Sequence, residues 1–204
     1  MVVPAALEGQ FVRLEPLRED HLPALAKIAF DSSIWRWTIA QYMSTEEDLR
    51  LWIEQALEQA AIGKALPWVT WSKADQCIVG STRYMDIDAR HYTLEIGWTW
   101  VAPPYQRSGL NVEAKYLQFQ HAFEVMGARR VSLKTHHENF KSQRAIEALG
   151  ATKEGVFRNH MIMPDDSSRH SVWYSVIREE WPVVKAKLEA RMEKYREQGA
   201  SARQ

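Results

Sequence analysis

A short polar loop between two apolar segments carries the residues best suited to chemistry. Gln106-Arg107-Ser108-Gly109 lies directly before a segment with the pattern of a helix. The first turn of a helix has backbone N–H groups without intrahelical partners, and the helix dipole adds partial positive charge there. Gly109 allows close approach of a ligand, and Arg107 adds a permanent cation. These features predict an anion site, although a turn capped by Ser108 or Asn111 is the commoner use of such a sequence.

Two further places in the chain carry candidate catalytic groups. Glu95 lies within a strand-like segment, and Asn139 and Ser142 lie at the start of a later helix. Each of these groups could also have a purely structural role. Glu95 could be a strand carboxylate satisfied by neighbouring side chains, and Asn139 could simply cap the helix that contains Ser142.

The elements that must position these groups follow from hydrophobic periodicity. Residues 93–101 read as a strand, which Pro103 and Pro104 end because proline cannot donate a ladder hydrogen bond. The helix after the loop carries one apolar stripe with spacings of 4, 3, 4 and 3 residues, formed by Val112, Tyr116, Phe119, Phe123 and Met126.

The other segments predict an alternation of helices and strands along one domain, residues 1–196, with a disordered tail at 197–204. A capping box, Ser44 with Glu47, begins the second helix, and Gly63 ends it. In chain order we expect strand 10–16, helix 18–30, helix 44–63, strands 66–72, 77–86 and 93–101, a helix ending at Gly127, strand 130–135, helix 139–149, a hairpin of 151–161 with 170–177, and helix 179–195.

Composition excludes several classes of protein. The 204 residues carry 26 Lys plus Arg and 26 Asp plus Glu, so the charge gives no support for a nucleic-acid partner or an acidic membrane. One cysteine cannot form an intrachain disulfide or a cysteine-based zinc cluster. No apolar run approaches the roughly 20 residues that span a bilayer, and the N-terminus lacks a signal peptide's features, so we expect a cytoplasmic protein. No metal-binding or nucleotide-binding motif occurs, and we expect no metal.

Residues 106–111 resemble the Gln/Arg-x-x-Gly-x-Gly/Ala pyrophosphate loop of the GCN5-related N-acetyltransferases, with Asn111 where the family usually has glycine or alanine. The element order also resembles that family over roughly residues 8–180. The similarity is closest to the RimJ/RimL-like branch, through LEGQFVRLEPLREDHL, EIGW and HENFKSQRAIEALGATKEGVFR.

The resemblance implies an α/β (α+β) fold with a mixed, mostly antiparallel sheet of about seven strands flanked by helices. Its fourth and fifth strands, residues 93–101 and 130–135, splay apart, and the pantetheine arm of acetyl-CoA inserts between them. The implied cofactor contacts are Thr99, Trp100, Val101, Gln106, Arg107, Ser108, Gly109, Leu110, Asn111, Asn139 and Ser142.

The implied reaction is direct transfer of acetyl from acetyl-CoA to an amine. Val101 is the candidate backbone donor for the thioester oxygen, Ser142 the proton donor for the departing thiolate, and Glu95 the base. The alternative bases are His136, His137 and His160.

The acceptor is left open between a protein N-terminal amine and a small amine such as an antibiotic, polyamine or amino acid. A non-catalytic acyl-CoA-binding sensor is the alternative function, and a homodimer is left open. Trp35 and Trp37 could line a substrate cleft, lie in the core, or form an aromatic patch for self-association.

Overall fold

One sheet of eight strands, covered by helices, forms the framework of the computed structural model, which describes residues 4–40 and 42–201, with the backbone alone for 198–201. The strands are β1 (Leu7–Glu8), β2 (Val12–Pro16), β3 (Leu66–Ser72), β4 (Cys77–Asp88), β5 (Thr93–Val101), β6 (Arg130–His136), β7 (Thr152–Ile162) and β8 (Ser168–Ile177). The helices are α1 (Leu22–Ala29), α2 (Ser32–Trp35), α3 (Glu46–Ala61), α4 (Leu110–Gln120), α5 (Phe140–Glu147) and α6 (Trp181–Ser201).

The strand order is β1-β2-β3-β4-β5-β6-β8-β7, and every neighbouring pair is antiparallel except β5 with β6. This confirms the predicted mixed, mostly antiparallel sheet. The strand beyond the expected seven is β1, whose two residues are too few to give a periodic signal. The splaying of the predicted fourth and fifth strands, here β5 and β6, is also confirmed, because they pair at only three positions.

Two hydrophobic cores lie on the two faces of the sheet. One contains buried residues of α4, α5 and α6, and the other contains those of α1, α2 and α3. Trp35 is only 1% exposed, so it belongs to the second core and forms no surface patch for self-association. Trp37 is half-buried and packs on His136, with 4.9 Å between ring centroids.

Among the described residues, no helix is long and apolar enough to cross a membrane.

A bulge in β5 decides which face its tryptophans occupy. Arg83 of β4 pairs with Gly97 and Ser81 pairs with Trp100, so two residues of β5 lie opposite Thr82 alone. Trp98 is the extra residue and has a φ of 49°, in the left-handed region. The inserted residue reverses the alternation, and therefore Trp100 joins the core on the α1–α3 face.

Some predicted boundaries need correction. The capping box of α3 is Thr45 with Asp48, one residue later than the predicted pair, because Thr45 has the extended backbone of a cap and accepts from the Asp48 N–H. Helix α6 continues to Ser201, so residues 197–201 are helical rather than a disordered tail. Glu197 and Gln198 are good helix formers, which accounts for the continuation. Residues 202–204 of that predicted tail lie outside the described residues.

Helix α4 is tied to the start of the sheet by one buried carboxylate. Glu113 is 4% exposed and accepts hydrogen bonds from the backbone N–H groups of Gln10, Phe11 and Val12, at 2.6 to 2.7 Å. Bonds from backbone N–H groups to a carboxylate are among the stronger protein hydrogen bonds. Glu113 therefore fixes the first turn of α4, and with it the loop that precedes α4, relative to the sheet.

Candidate active site

The sheet opens between β5 and β6. The two strands pair at only three positions, and the last is Glu95 with Ser132. Beyond that pair β6 continues to pair with β8 as far as His136, while β5 continues to pair with β4 as far as Val101. The second half of each strand therefore has a free edge that faces the other strand. We call the space between these two edges the gap.

The end of β5 presents backbone groups to the gap. The Ala102 N–H donates to the Val79 carbonyl of β4 over 2.8 Å. Successive residues of a strand direct their N–H and C=O groups to opposite edges, so those of Val101 face away from β4 and into the gap. The Val101 carbonyl accepts from the Gln106 side chain over 2.9 Å. The Val101 N–H is left as a donor at the edge.

A row of unpaired backbone donors follows. The five consecutive N–H groups from Arg107 to Asn111 have no acceptor among the described residues, and the last two belong to the first turn of α4. Gly109 precedes the helix with a φ of 88°, and a Cβ there would lie 2.7 Å from the Tyr195 ring of α6. Glycine is therefore required at this position by both conformation and space.

The side chains of Gln106, Ser108 and Leu110 hold the loop in place, whereas that of Arg107 lies at the surface. Gln106 bridges the loop to β5 and also accepts from the Lys141 ammonium of α5, while the Ser108 hydroxyl donates to the Tyr105 carbonyl over 2.6 Å. Leu110 is 8% exposed and packs into the core, so only its backbone can meet a ligand. Arg107 is exposed and contributes positive charge at the surface.

Asn111 stands at the position where the loop departs from the expected pattern. Its side-chain oxygen is buried and has no hydrogen-bond partner among the described residues. A buried amide oxygen without a donor is uncommon in folded proteins. The structure thus places Asn111 beside the row of free N–H groups, with its own polar side chain unsatisfied.

The Asn139 side chain caps α5. Its oxygen accepts from the Ser142 backbone N–H over 3.1 Å, as a helix cap does. Ser142 is half-buried, and its hydroxyl has no hydrogen bond to another described residue. The Lys141–Gln106 bond connects this helix start to the loop, so both predicted constellations border the gap.

Glu95 lies at the point where β5 and β6 separate. Its side chain is 3% exposed, and Oε2 accepts from the Lys134 ammonium over 2.6 Å. Burial raises the pKa of Glu95, and the neighbouring Lys134 opposes that rise. The other oxygen, Oε1, lies 3.1 Å from where a Cβ of residue 97 would be. The same Cβ would lie 2.6 Å from the Met85 sulfur, so the space over Gly97 is shared by the Met85 and Glu95 side chains.

Further polar groups lie on the Glu95 side of the gap. Arg169 is 8% exposed and donates to the Trp37 carbonyl over 3.1 Å and to the Ser171 hydroxyl over 3.2 Å. His160 Nδ1 is 3.0 Å from the same hydroxyl. Burial lowers the pKa of His160 and also that of His136, so both imidazoles are neutral at physiological pH.

Three consecutive residues at the end of β6 partly resemble a metal site. One ligand atom each from His136, His137 and Glu138 lies within 4.8 Å of the others. His136 Nδ1 already accepts the Glu138 backbone N–H over 3.1 Å, which leaves only its Nε2. Structural metal sites normally use four protein ligands. The expectation that no metal is bound stays a prediction.

Lys115 of α4 is a buried residue that the sequence did not single out. It is 4% exposed, and its ammonium donates to the hydroxyls of Thr82 (2.9 Å) and Thr99 (2.7 Å) and to the Gln118 side-chain oxygen (2.8 Å). No carboxylate pairs with it among the described residues, and burial lowers the pKa of Lys115 to about 7. Lys115 holds together the two strands on either side of the Trp98 bulge, because Thr82 and Thr99 face each other there.

Comparison with known proteins gives a consistent result. The sequence model described as an acetyltransferase (GNAT) domain matches residues 12–152. A Bacillus subtilis (strain 168) protein described as the uncharacterized N-acetyltransferase YnaD is 25% identical over 158 residues, 78% of this chain and 88% of that protein.

Two solved structures are similar over nearly the whole chain. One, assigned as an acetyltransferase from T. thermophilus, is 40% identical with a TM-score of 0.83 and covers 94% of this chain and 98% of its own. Another, a GCN5-related N-acetyltransferase from Brucella melitensis, is 30% identical with a TM-score of 0.84 and covers 94% and 86%.

The buried Lys115 predicts a specific pH dependence of stability. The unfolded lysine has a pKa of about 10.4, so between about pH 7 and 10 the unfolded chain binds more protons than the folded chain. Stability contributed at this site should therefore rise with pH. Relative to Lys115→Met, the wild type should gain up to roughly 1.4 kcal/mol in unfolding free energy per pH unit across that window.

Urea unfolding of both proteins at a series of pH values measures this difference. Lys187→Met removes an exposed lysine of α6 and serves as the control, for which the difference from wild type should stay constant. Parallel curves for the wild type and Lys115→Met would contradict the prediction.

Proposed function

Because this chain belongs to the acetyltransferase (GNAT) family, we propose that it moves the acetyl group of acetyl-CoA to a primary amine by direct attack. The observation that carries the proposal is the free edge of β5 leading to five unpaired backbone N–H groups. An elongated molecule with amides at one end and phosphates at the other matches that sequence of donors.

Successive parts of the cofactor are assigned to successive segments of the chain. The pyrophosphate lies on the N–H groups of residues 107–111, with Arg107 supplying a cation and Gln106 holding the loop to β5. The pantetheine arm lies along Thr99, Trp100 and Val101 as an added strand. Since the Trp100 side chain is in the core and its backbone N–H and C=O face β4, Trp100 lies along the arm without a polar contact to it. Asn111, Asn139 and Ser142 complete the proposed contacts, and the amide of Asn111 gains a partner when the site is filled.

The chemical steps are assigned to three groups. The Val101 N–H stabilises the negative charge that develops on the thioester oxygen, and the Ser142 hydroxyl protonates the departing thiolate. Glu95 removes a proton from the attacking amine through Oε1. Its raised pKa brings it closer to neutrality, where a general base is most effective. His136 and His160 are the alternative bases.

One observation supports a second function, an acyl-CoA-binding module without catalysis. Glu95 is already paired with Lys134 at 2.6 Å, which is also the arrangement of a purely structural carboxylate. Binding of acetyl-CoA without transfer to any amine or peptide would favour this second function.

Cofactor binding is tested with two matched glycine variants. Gly109 and Gly63 both have positive φ, but a Cβ at Gly63 meets nothing within 4 Å whereas one at Gly109 meets Tyr195. Gly63→Ala should lose about 1 kcal/mol of stability from backbone strain, and Gly109→Ala should lose more because its Cβ also clashes with Tyr195. Only Gly109→Ala should weaken acetyl-CoA binding, by about tenfold or more, because the loop must shift. Isothermal titration measures the affinities; no binding to the wild type would refute the proposed function.

The base is tested with Glu95→Gln. Loss of the carboxylate should lower kcat by about a hundredfold or more, the usual range for a general base, with acetyl-CoA affinity unchanged. Glu154→Gln is the control, since Glu154 is an exposed carboxylate of the same sheet that is paired with Arg130. Release of free CoA with an amine panel gives the rate. An unchanged kcat in Glu95→Gln would contradict the assignment of Glu95 as the general base and favour His136 or His160.

A further inference from the structure

Arg83 of β4 is a buried cation whose donors are unused. The residue is 6% exposed, and its Nε and Nη2 atoms are buried without a hydrogen-bond partner among the described residues. The guanidinium carbon lies 4.7 Å from the ring centroid of Trp52 and 4.9 Å from that of Trp98. These two rings favour the positive charge, but they cannot accept the in-plane N–H bonds.

Neighbouring acids do not neutralise Arg83. Gly97 lies opposite Arg83 and Glu95 lies opposite Met85, so Glu95 is the diagonal neighbour of Arg83 on the same face. Glu95, however, is engaged by Lys134 at 2.6 Å. Burial alone lowers the pKa of Arg83 to about 10, which still leaves the side chain charged at neutral pH. A buried charge with free donors is costly to a folded protein unless something binds it.

Arg83 lies close to the proposed base in the sheet. Its cross-strand partner, Gly97, lies beside the Met85 sulfur and beside Glu95 Oε1, the oxygen to which we assign proton removal. Arg83 therefore lies diagonally across the strand pair from the proposed base, on the same face of the sheet. It lies on the opposite face from Thr82, whose hydroxyl meets Lys115 of α4.

The charges around Glu95 are mostly positive. Burial raises the pKa of Glu95, and the positive charges of Lys134 and Arg169, both largely buried, oppose that rise. The exposed Asp86 adds to the rise. Two cations therefore act on one buried carboxylate, and Arg83 lies diagonally across the strand pair from it. Such a site repels a polycationic acceptor such as a polyamine and suits one that carries negative charge.

We propose that Arg83 binds a carboxylate of the acceptor, so the substrate is an amine that also carries a carboxylate group. The guanidinium fork matches a carboxylate with two parallel hydrogen bonds. This inference rests on the proposed acetyl transfer and narrows its acceptor class. The carboxylate could be the α-carboxylate of a free amino acid or an acidic side chain at a peptide N-terminus, and the chemistry at Arg83 is shared by both.

Matched acceptors test the proposal in the wild-type enzyme. Free amino acids are compared with their primary amides, and peptides beginning with Glu or Asp with those beginning with Gln or Asn. In one of the two series, kcat/KM should favour the carboxylate by at least about tenfold, the value of one charge-assisted hydrogen bond. The series that shows the preference identifies the source of the carboxylate. Equal rates for acids and amides in both series would overturn the proposal while leaving acetyl transfer intact.

Variants of Arg83 connect the preference to this residue. Arg83→Met should remove the discrimination, Arg83→Lys should retain part of it, and neither should change the affinity for acetyl-CoA. The Tm of Arg83→Met should equal or exceed that of the wild type, because replacing a buried unpaired charge by an apolar side chain is often stabilising. A lower Tm together with an unchanged acid preference would show a structural role and overturn the proposal.

Product binding provides a readout without turnover. Quenching of tryptophan fluorescence, to which Trp52 and Trp98 beside Arg83 contribute, is titrated with N-acetyl amino acids and with their amides. The acids should bind more tightly to the wild type and equally to Arg83→Met. Equal binding of acids and amides by the wild type would overturn the proposal. Absence of acetyl-CoA binding, in contrast, would refute the proposed function itself.

Discussion

The separation of β5 from β6 is the constraint on which the rest of the structure depends. Two parallel strands that stop pairing after three residues leave backbone donors and acceptors without partners, which a folded protein normally avoids. Here the free edge of β5 leads directly to a loop whose N–H groups are also unpaired. The two sets are separated by residues 102–106, whose N–H groups are paired or absent, and the proposed cofactor is the molecule that would satisfy both sets.

The separation is maintained by groups on each side of the gap. Lys115 binds Thr82 and Thr99 on one face of the bulged β5, and Trp98 and Trp100 pack on the other. On the β6 side the strand is held along its whole length by β8. The β5 side of the gap is therefore held to β4 in part by a buried lysine that has no counterion within the described part of the chain. A buried lysine of this kind is expected to lower overall stability, and here it positions the edge to which we assign cofactor binding.

Local patterns were sufficient to predict much of this. The bounds of β3 and β5, the stop at Gly63 and Gly127, and the loop before α4 follow from apolar periodicity, proline and glycine. The pairing of Glu95 with Lys134 could not be predicted, since it depends on the register of two strands 39 residues apart. Lys115 and Arg83 look like ordinary surface cations in the sequence. Only the bulge at Trp98, which has no distinctive sequence signal, places Arg83 between two tryptophans.

The central claim is that one ligand satisfies the free edge of β5 and the row of N–H groups together. Backbone hydrogen exchange, measured with and without acetyl-CoA, tests it most directly. The account predicts slower exchange at Val101 and at residues 107–111, with little change in the amides of β2 and β3, which are already paired. Unchanged exchange at residues 107–111 in protein saturated with acetyl-CoA would contradict it.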